Sequence, residues 1–102
     1  MVEVGSLSSV GYLFGENTIS LNCYPNPSGD FCTMDFYIPA AGYTEVTLYS
    51  ITGNKLRHLV SRSLDGGRHT YVLDSSQLEN GIYLVRLQTG SGTVVRRIAI
   101  QH

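Results

Sequence analysis

Seven short segments in which apolar and polar residues alternate, spaced roughly ten residues apart and separated by glycine-bearing turns, predict an all-β chain. The expected architecture is an Ig-like antiparallel β-sandwich of about seven strands with Greek-key winding. Composition points the same way. Eleven glycines, seven tyrosines, many Val, Ile and Thr residues and no tryptophan suit short strands and frequent turns, while helix-favouring runs of Ala, Glu and Lys are absent. At 102 residues the chain is long enough for one core and too short for two.

Residues 1–18 carry Gly5, Ser6, Ser8, Ser9, Gly11 and Gly15 with apolar residues at no fixed period, which reads as a flexible linker ahead of a domain at 19–102. Ile19, Leu21 and Cys23 share one parity, the mark of a half-buried first strand. That strand must stop at Tyr24-Pro25-Asn26-Pro27, because each proline fixes φ and removes a backbone donor. After Ser28-Gly29-Asp30, the residues Cys32, Met34, Phe36 and Ile38 repeat the alternation as a second strand. Pro39-Ala40-Ala41-Gly42 breaks it, and Val46 to Ile51 form a third. Thr52-Gly53-Asn54-Lys55 reverses the chain, since Gly53 and Asn54 tolerate positive φ at low cost.

Leu56, Leu59 and Val60 mark a less regular fourth strand, Asp65-Gly66-Gly67 the next turn, and His69 to Leu73 a fifth strand. Asp74-Ser75-Ser76-Gln77-Leu78 reads as one helical turn capped by Asp74, with Leu78 plugging the core. Asn80-Gly81 ends it. Ile82 to Leu87, the most apolar run, is expected to be a central strand, and Gly90-Ser91-Gly92 leads into the last, Thr93 to Ile100.

Seven Lys/Arg against eight Asp/Glu leave no electrostatic footprint for nucleic acid or an anionic membrane, and only Arg96-Arg97 concentrates positive charge. No apolar run approaches the roughly 20 residues that span a bilayer. Met1 to Gly5 lack the basic and apolar regions of a secretory signal. His58, His69 and His102 form no metal-ligand spacing, so neither metal nor cofactor is expected. Ser75 and Ser76 stand beside Asp74 without a Gly-x-Ser-x-Gly elbow, and the glycine pairs are turns without a following long helix. The chain therefore reads as a non-enzyme. Cys23 and Cys32 flank the proline corner and are either a candidate disulfide in an oxidising compartment or two buried free thiols, a choice that spacing does not decide.

In order and spacing, these segments resemble the C-terminal sorting domain of the type IX secretion system, in the type A form found in cargo proteins of Bacteroidetes. The resemblance runs from about Leu21 to Ile100. Tyr24-Pro25-Asn26-Pro27 is similar to the opening motif and Val46 to Leu56, with Tyr49 and Gly53, to the middle one. Gly67-Arg68-His69 through Leu78 and then Gly81-Ile82-Tyr83 resemble the late signature, and Val94 to Ile100 the basic closing strand. A related Ig-like module found beside flagellar hook-capping proteins and bacterial hydrolases shares much of this pattern. Ser50 stands where aspartate is frequent, and Arg97 near a position usually taken by lysine, whose compact ammonium a planar guanidinium does not duplicate.

The resemblance implies a secretion and sorting signal at the end of a larger exported cargo. The cargo would wait in the periplasm and be recognised by the outer-membrane type IX translocon and its shuttle components. A sortase-like peptidase would then cut in the N-terminal linker and join the cargo to a surface lipopolysaccharide. Tyr24, Pro25, Asn26, Pro27, Gly53, Gly81, Tyr83, Arg96 and Arg97 are the candidate recognition residues. An exposed edge strand also suggests a homodimer formed by edge-strand pairing. The competing expectation is an adhesive or carbohydrate-binding accessory module of a surface enzyme. It would need an exposed aromatic platform or a calcium-type carboxylate cluster, and neither is visible at fixed spacing.

Overall fold

The computed structural model describes residues 18–102, which form seven strands and no helix. The linker expected at 1–18 lies, but for its last residue, outside the described residues. In chain order the strands are β1 (Ser20–Tyr24), β2 (Phe31–Ile38), β3 (Gly42–Ser50), β4 (Lys55–Leu64), β5 (Gly67–Asp74), β6 (Gly81–Thr89) and β7 (Gly92–Ile100). They make a three-stranded sheet in the order β1-β2-β5 and a four-stranded sheet in the order β4-β3-β6-β7, with every ladder antiparallel. The chain changes sheet at β2 to β3, at β4 to β5 and at β5 to β6, which gives the Greek-key winding.

Alternation builds the core. Cys32, Met34, Phe36 and Ile38 of β2 are all buried, as their shared parity requires, and Leu21 and Leu73 flank them in the same sheet. Val46 and Leu48 of β3, Val85 and Leu87 of β6, and Ile98 and Ile100 of β7 face them from the other sheet. β6 lies between β3 and β7, the central place its apolar run predicts. β4 is longer than its apolar residues suggest, because an edge strand needs few of them. Apart from Leu59 its side chains are mostly exposed, and the register shifts between Val46 and Thr47 and between Leu48 and Tyr49.

The stretch at 74–78 is a turn and not a helical segment. Leu78 N donates to Ser75 O at 3.0 Å, and no second such bond follows. The backbone there is committed elsewhere: Ser75 N donates to Asp30 O at 2.8 Å, and the buried Ser75 Oγ donates to Gly29 O at 2.6 Å. Asp74 does act as a local cap, its Oδ1 accepting from Ser76 N at 3.0 Å and Ser76 Oγ at 2.6 Å. These two donors hold the Asp74 carboxyl below the usual carboxylate range. Leu78 packs against the core as expected.

The β3–β4 turn depends on Gly53, whose φ is +94°. Gly53 N donates to Ser50 O and Ser50 N to Asn54 O, both at 2.9 Å, while Asn54 N donates to Ser50 Oγ at 3.1 Å. Ser50 thus supplies the side-chain acceptor that an aspartate would offer at this place. A Cβ at Gly53 would meet nothing within 4 Å, so a substitution there tests the backbone conformation alone. Gly53→Ala is expected to cost about 1–3 kcal/mol in urea unfolding, with an unchanged dependence on denaturant.

Candidate functional site

The Tyr24-Pro25-Asn26-Pro27 corner lies along the free edge of β7. Its prolines have no N–H to offer a ladder, so pairing passes to the residues between and after them. Asn26 Nδ2 donates to Arg97 O at 3.3 Å, and Asn26 Oδ1 accepts from Ala99 N at 3.0 Å. The Asn26 amide therefore serves the edge as a strand's peptide group would. Ser28 continues the mimicry with its backbone, donating to Ala99 O and accepting from Gln101 N, each at 2.8 Å. This makes a parallel bridge between Ser28 and Ile100. The Ser28 hydroxyl donates to Pro25 O and closes the corner on itself. Both X-Pro bonds of the corner are cis.

The two arginines have separate roles. Arg96 pairs across the ladder with Val85, and its Nε donates to Leu21 O at 2.9 Å, clasping β7 to β1 of the opposite sheet. Arg97 pairs with Leu84 and has the opposite parity, so it projects from the outer face of the four-stranded sheet. It is exposed, and among the described residues no hydrogen bond or ion pair holds its guanidinium. Adjacency in sequence made a dyad of these residues, whereas strand parity divides them into a clasp and an outward-facing cation.

Tyr83 packs against the core, and its hydroxyl donates to Glu79 O at 2.6 Å. This is a tyrosine corner, the hydroxyl of an early-strand tyrosine reaching back to fix the preceding loop. Gly81 opens β6 opposite Ile100. Ser50 pairs with Tyr83, and Tyr83 with Ile98, so the Gly53 turn, Gly81, Tyr83 and the proline corner gather at one pole of the sandwich. Arg97 lies beside them, its carbonyl held by Asn26. Eight of the nine residues singled out from sequence lie at or near this end; Arg96, midway along β7, reaches away from it to Leu21.

Several participants at this pole were not anticipated. His102 N donates to Asn80 Oδ1 at 3.0 Å, and the His102 ring lies 2.7 Å from Leu78 O, which ties the last residue to the β5–β6 loop. Contacts so far apart in sequence leave no local pattern to read. Tyr24, Phe31 and Val72 lie together on the outer face of the three-stranded sheet, 49%, 61% and 55% exposed. The parity that Phe31 shares with Thr33 was the available signal for that face.

Cys23 and Cys32 are free thiols on the inward face, the first half-buried and the second buried. Their mutual hydrogen bond, with the Ser28 hydroxyl adding to it, lowers the Cys32 pKa against the effect of burial. The same contact, joined by burial, raises that of Cys23. No group of three or more His, Cys, Asp or Glu side chains able to hold a metal occurs among the described residues.

A two-sheet sandwich of this winding, with its loops tied down at one pole, defines a small Ig-like module built to present a surface. The chain belongs to the secretion system C-terminal sorting domain family, which matches residues 22–101. No curated protein matches it. Members of this family are the C-terminal sorting signals of type IX secretion, and the domain serves as such a signal, not as a catalyst. It directs a larger protein across the outer membrane to the cell surface or beyond.

The corner's contribution is measurable. Asn26→Ala removes a donor and an acceptor from the β7 edge and is expected to cost about 1–3 kcal/mol in urea unfolding. Tyr83→Phe removes one hydroxyl and is expected to cost about 1 kcal/mol in the same measurement.

Proposed function

We propose that the type IX machinery reads the pole that carries the proline corner, with Arg97 as its principal charged contact. The observation that carries this reading is the segregation of the two ends. Ser20 pairs with Tyr37, and Ile38 with Gly67, so the described chain enters at the pole opposite the corner. A cargo joined there leaves the corner, the Gly53 turn and Arg97 unobstructed. The translocon and its shuttle components bind this pole while the cargo is in the periplasm. A sortase-like peptidase then cuts ahead of β1 and attaches the cargo at the surface.

Recognition by simple strand addition along all of β7 is disfavoured. Asn26 and Ser28 already occupy the outward groups from Arg97 to Gln101, and Arg96 donates to Val95 O through a terminal guanidinium nitrogen at 3.2 Å. The same cover opposes a homodimer through that part of the edge. A reader therefore meets side chains there, Arg97 foremost, more than open backbone.

Fusing residues 1–102 to an inert exported reporter is expected to bring the reporter to the surface of a cell that carries a type IX system, as scored by protease accessibility on intact cells. Retention inside the outer membrane would sink the reading. Arg97→Glu is expected to leave the melting temperature within about 2 °C, since an exposed unpaired side chain contributes little to stability, yet to reduce surface delivery at least tenfold. Arg96→Ala is expected to do the reverse in kind, lowering the melting temperature by several degrees through loss of the β1 clasp. Truncating residues 96–102 would not separate the two effects, because it also strips Ile98 and Ile100 from the core.

A further inference from the structure

We infer that Cys23 and Cys32 are a redox pair that closes to an intrachain disulfide in an oxidising compartment and fastens the base of the proline corner. The inference rests on the sorting role in one respect, because that role takes the chain through the oxidising periplasm.

The geometry begins with the ladder. Cys23 stands opposite Met34, so Cys32, two residues away on β2, is its diagonal neighbour on the same inward face. Diagonal neighbours have Cα atoms about 7–8 Å apart, a little beyond the range of about 4.4–6.8 Å that bridged cysteines occupy. Both cysteines are free, Cys32 buried and Cys23 half-buried, so the two thiols share this inward face as neighbours. What remains is about 1 Å of closure between the strands. β1 can supply it: among the described residues its only ladder partner is β2, and it ends one residue beyond Cys23. The sequence has no third cysteine to compete.

The chemistry balances with a small or protein-borne disulfide as oxidant. The Cys23 thiol, on the more accessible of the two side chains, loses its proton and attacks one sulfur of the oxidant to form a mixed disulfide and release one thiolate. The buried Cys32 thiolate then attacks the Cys23 sulfur, forming the intrachain bond and releasing the second thiolate. The chain loses two hydrogens and two electrons, and the oxidant becomes two thiols. The closed loop holds the proline corner, including Asn26 and Ser28, which cover the β7 edge. Oxidation thereby limits how far that cover can lift.

The full chain, purified reduced, is incubated with oxidised glutathione, then denatured, treated with iodoacetamide and weighed intact. The expected result is a loss of about 2 Da with no alkylation, reversed by dithiothreitol to two alkylated thiols, together with a rise of about 5–10 °C in melting temperature on oxidation. A Cys32→Ser chain is expected to stop at the mixed disulfide and carry one glutathione on Cys23. Two alkylated thiols, a persistent glutathione adduct on the unaltered chain, or a disulfide-linked dimer would each overturn the inference. The assay needs no secretion machinery, so a reporter fusion that fails to reach the surface while the bridge forms in vitro counts against the sorting reading and leaves the bridge standing.

Discussion

The free edge of β7 is the constraint around which the domain is arranged. A two-sheet sandwich leaves four edge strands, and an uncovered edge is a row of unpaired donors and acceptors open to any extended chain. The domain closes the side where β1 and β7 approach by two unlike devices. Asn26 and Ser28 substitute for a strand from Arg97 to Gln101, and Arg96 reaches Leu21 O across the gap between the sheets. On the other side, β4 relies on bulges and on exposed Lys55, Arg57 and Arg62. A signal that must stay folded and unaggregated while attached to many residues of other protein has physical reason to spend so many polar contacts on its edges.

This constraint also explains what the prolines contribute. Pro25 and Pro27 cannot extend β1, so the chain leaves the three-stranded sheet at Tyr24 and crosses to the other sheet's edge. Between them only Asn26 has a side chain with both a donor and an acceptor in the geometry of a peptide group, and both are used. Aspartate or leucine in that place would leave Arg97 O without its donor. The corner is therefore a piece of structure first, and whatever a partner recognises there is presented by a segment that the fold already requires.

Much of the fold was legible in the sequence because burial writes period-two patterns wherever one face of a strand meets a core. β2, β3, β6 and β7 announced themselves through Met34, Phe36, Val46, Leu48, Val85 and Ile98. β4 was fainter, since an edge strand with one well-buried side chain leaves little pattern. The turn at 74–78 was misjudged because capping chemistry looks alike at a helix start and in an isolated turn, and what decided between them was Ser75 bonding to Gly29 and Asp30, more than forty positions away. For the candidate residues, the sequence offered positions but not the contact that each one makes. Nothing local in Arg96-Arg97 says which guanidinium turns between the sheets and which faces outward; strand parity decides it, and parity needs the register with β6.

That division bears on how a rigid domain can serve as an address. If Arg97 were paired, a partner would have to break an existing contact before making its own, and the exchange would yield little net affinity. An exposed arginine without a partner among the described residues avoids that cost, and its planar fork favours a carboxylate or phosphate that can meet it with two oxygens. Neighbouring groups hold its backbone still: Asn26 grips its carbonyl, Arg96 anchors the strand on one side and Leu84 pairs with it on the other. Little conformational entropy remains in the main chain for a partner to remove. The fold thus concentrates hydrogen bonds around a side chain that the described residues leave facing outward.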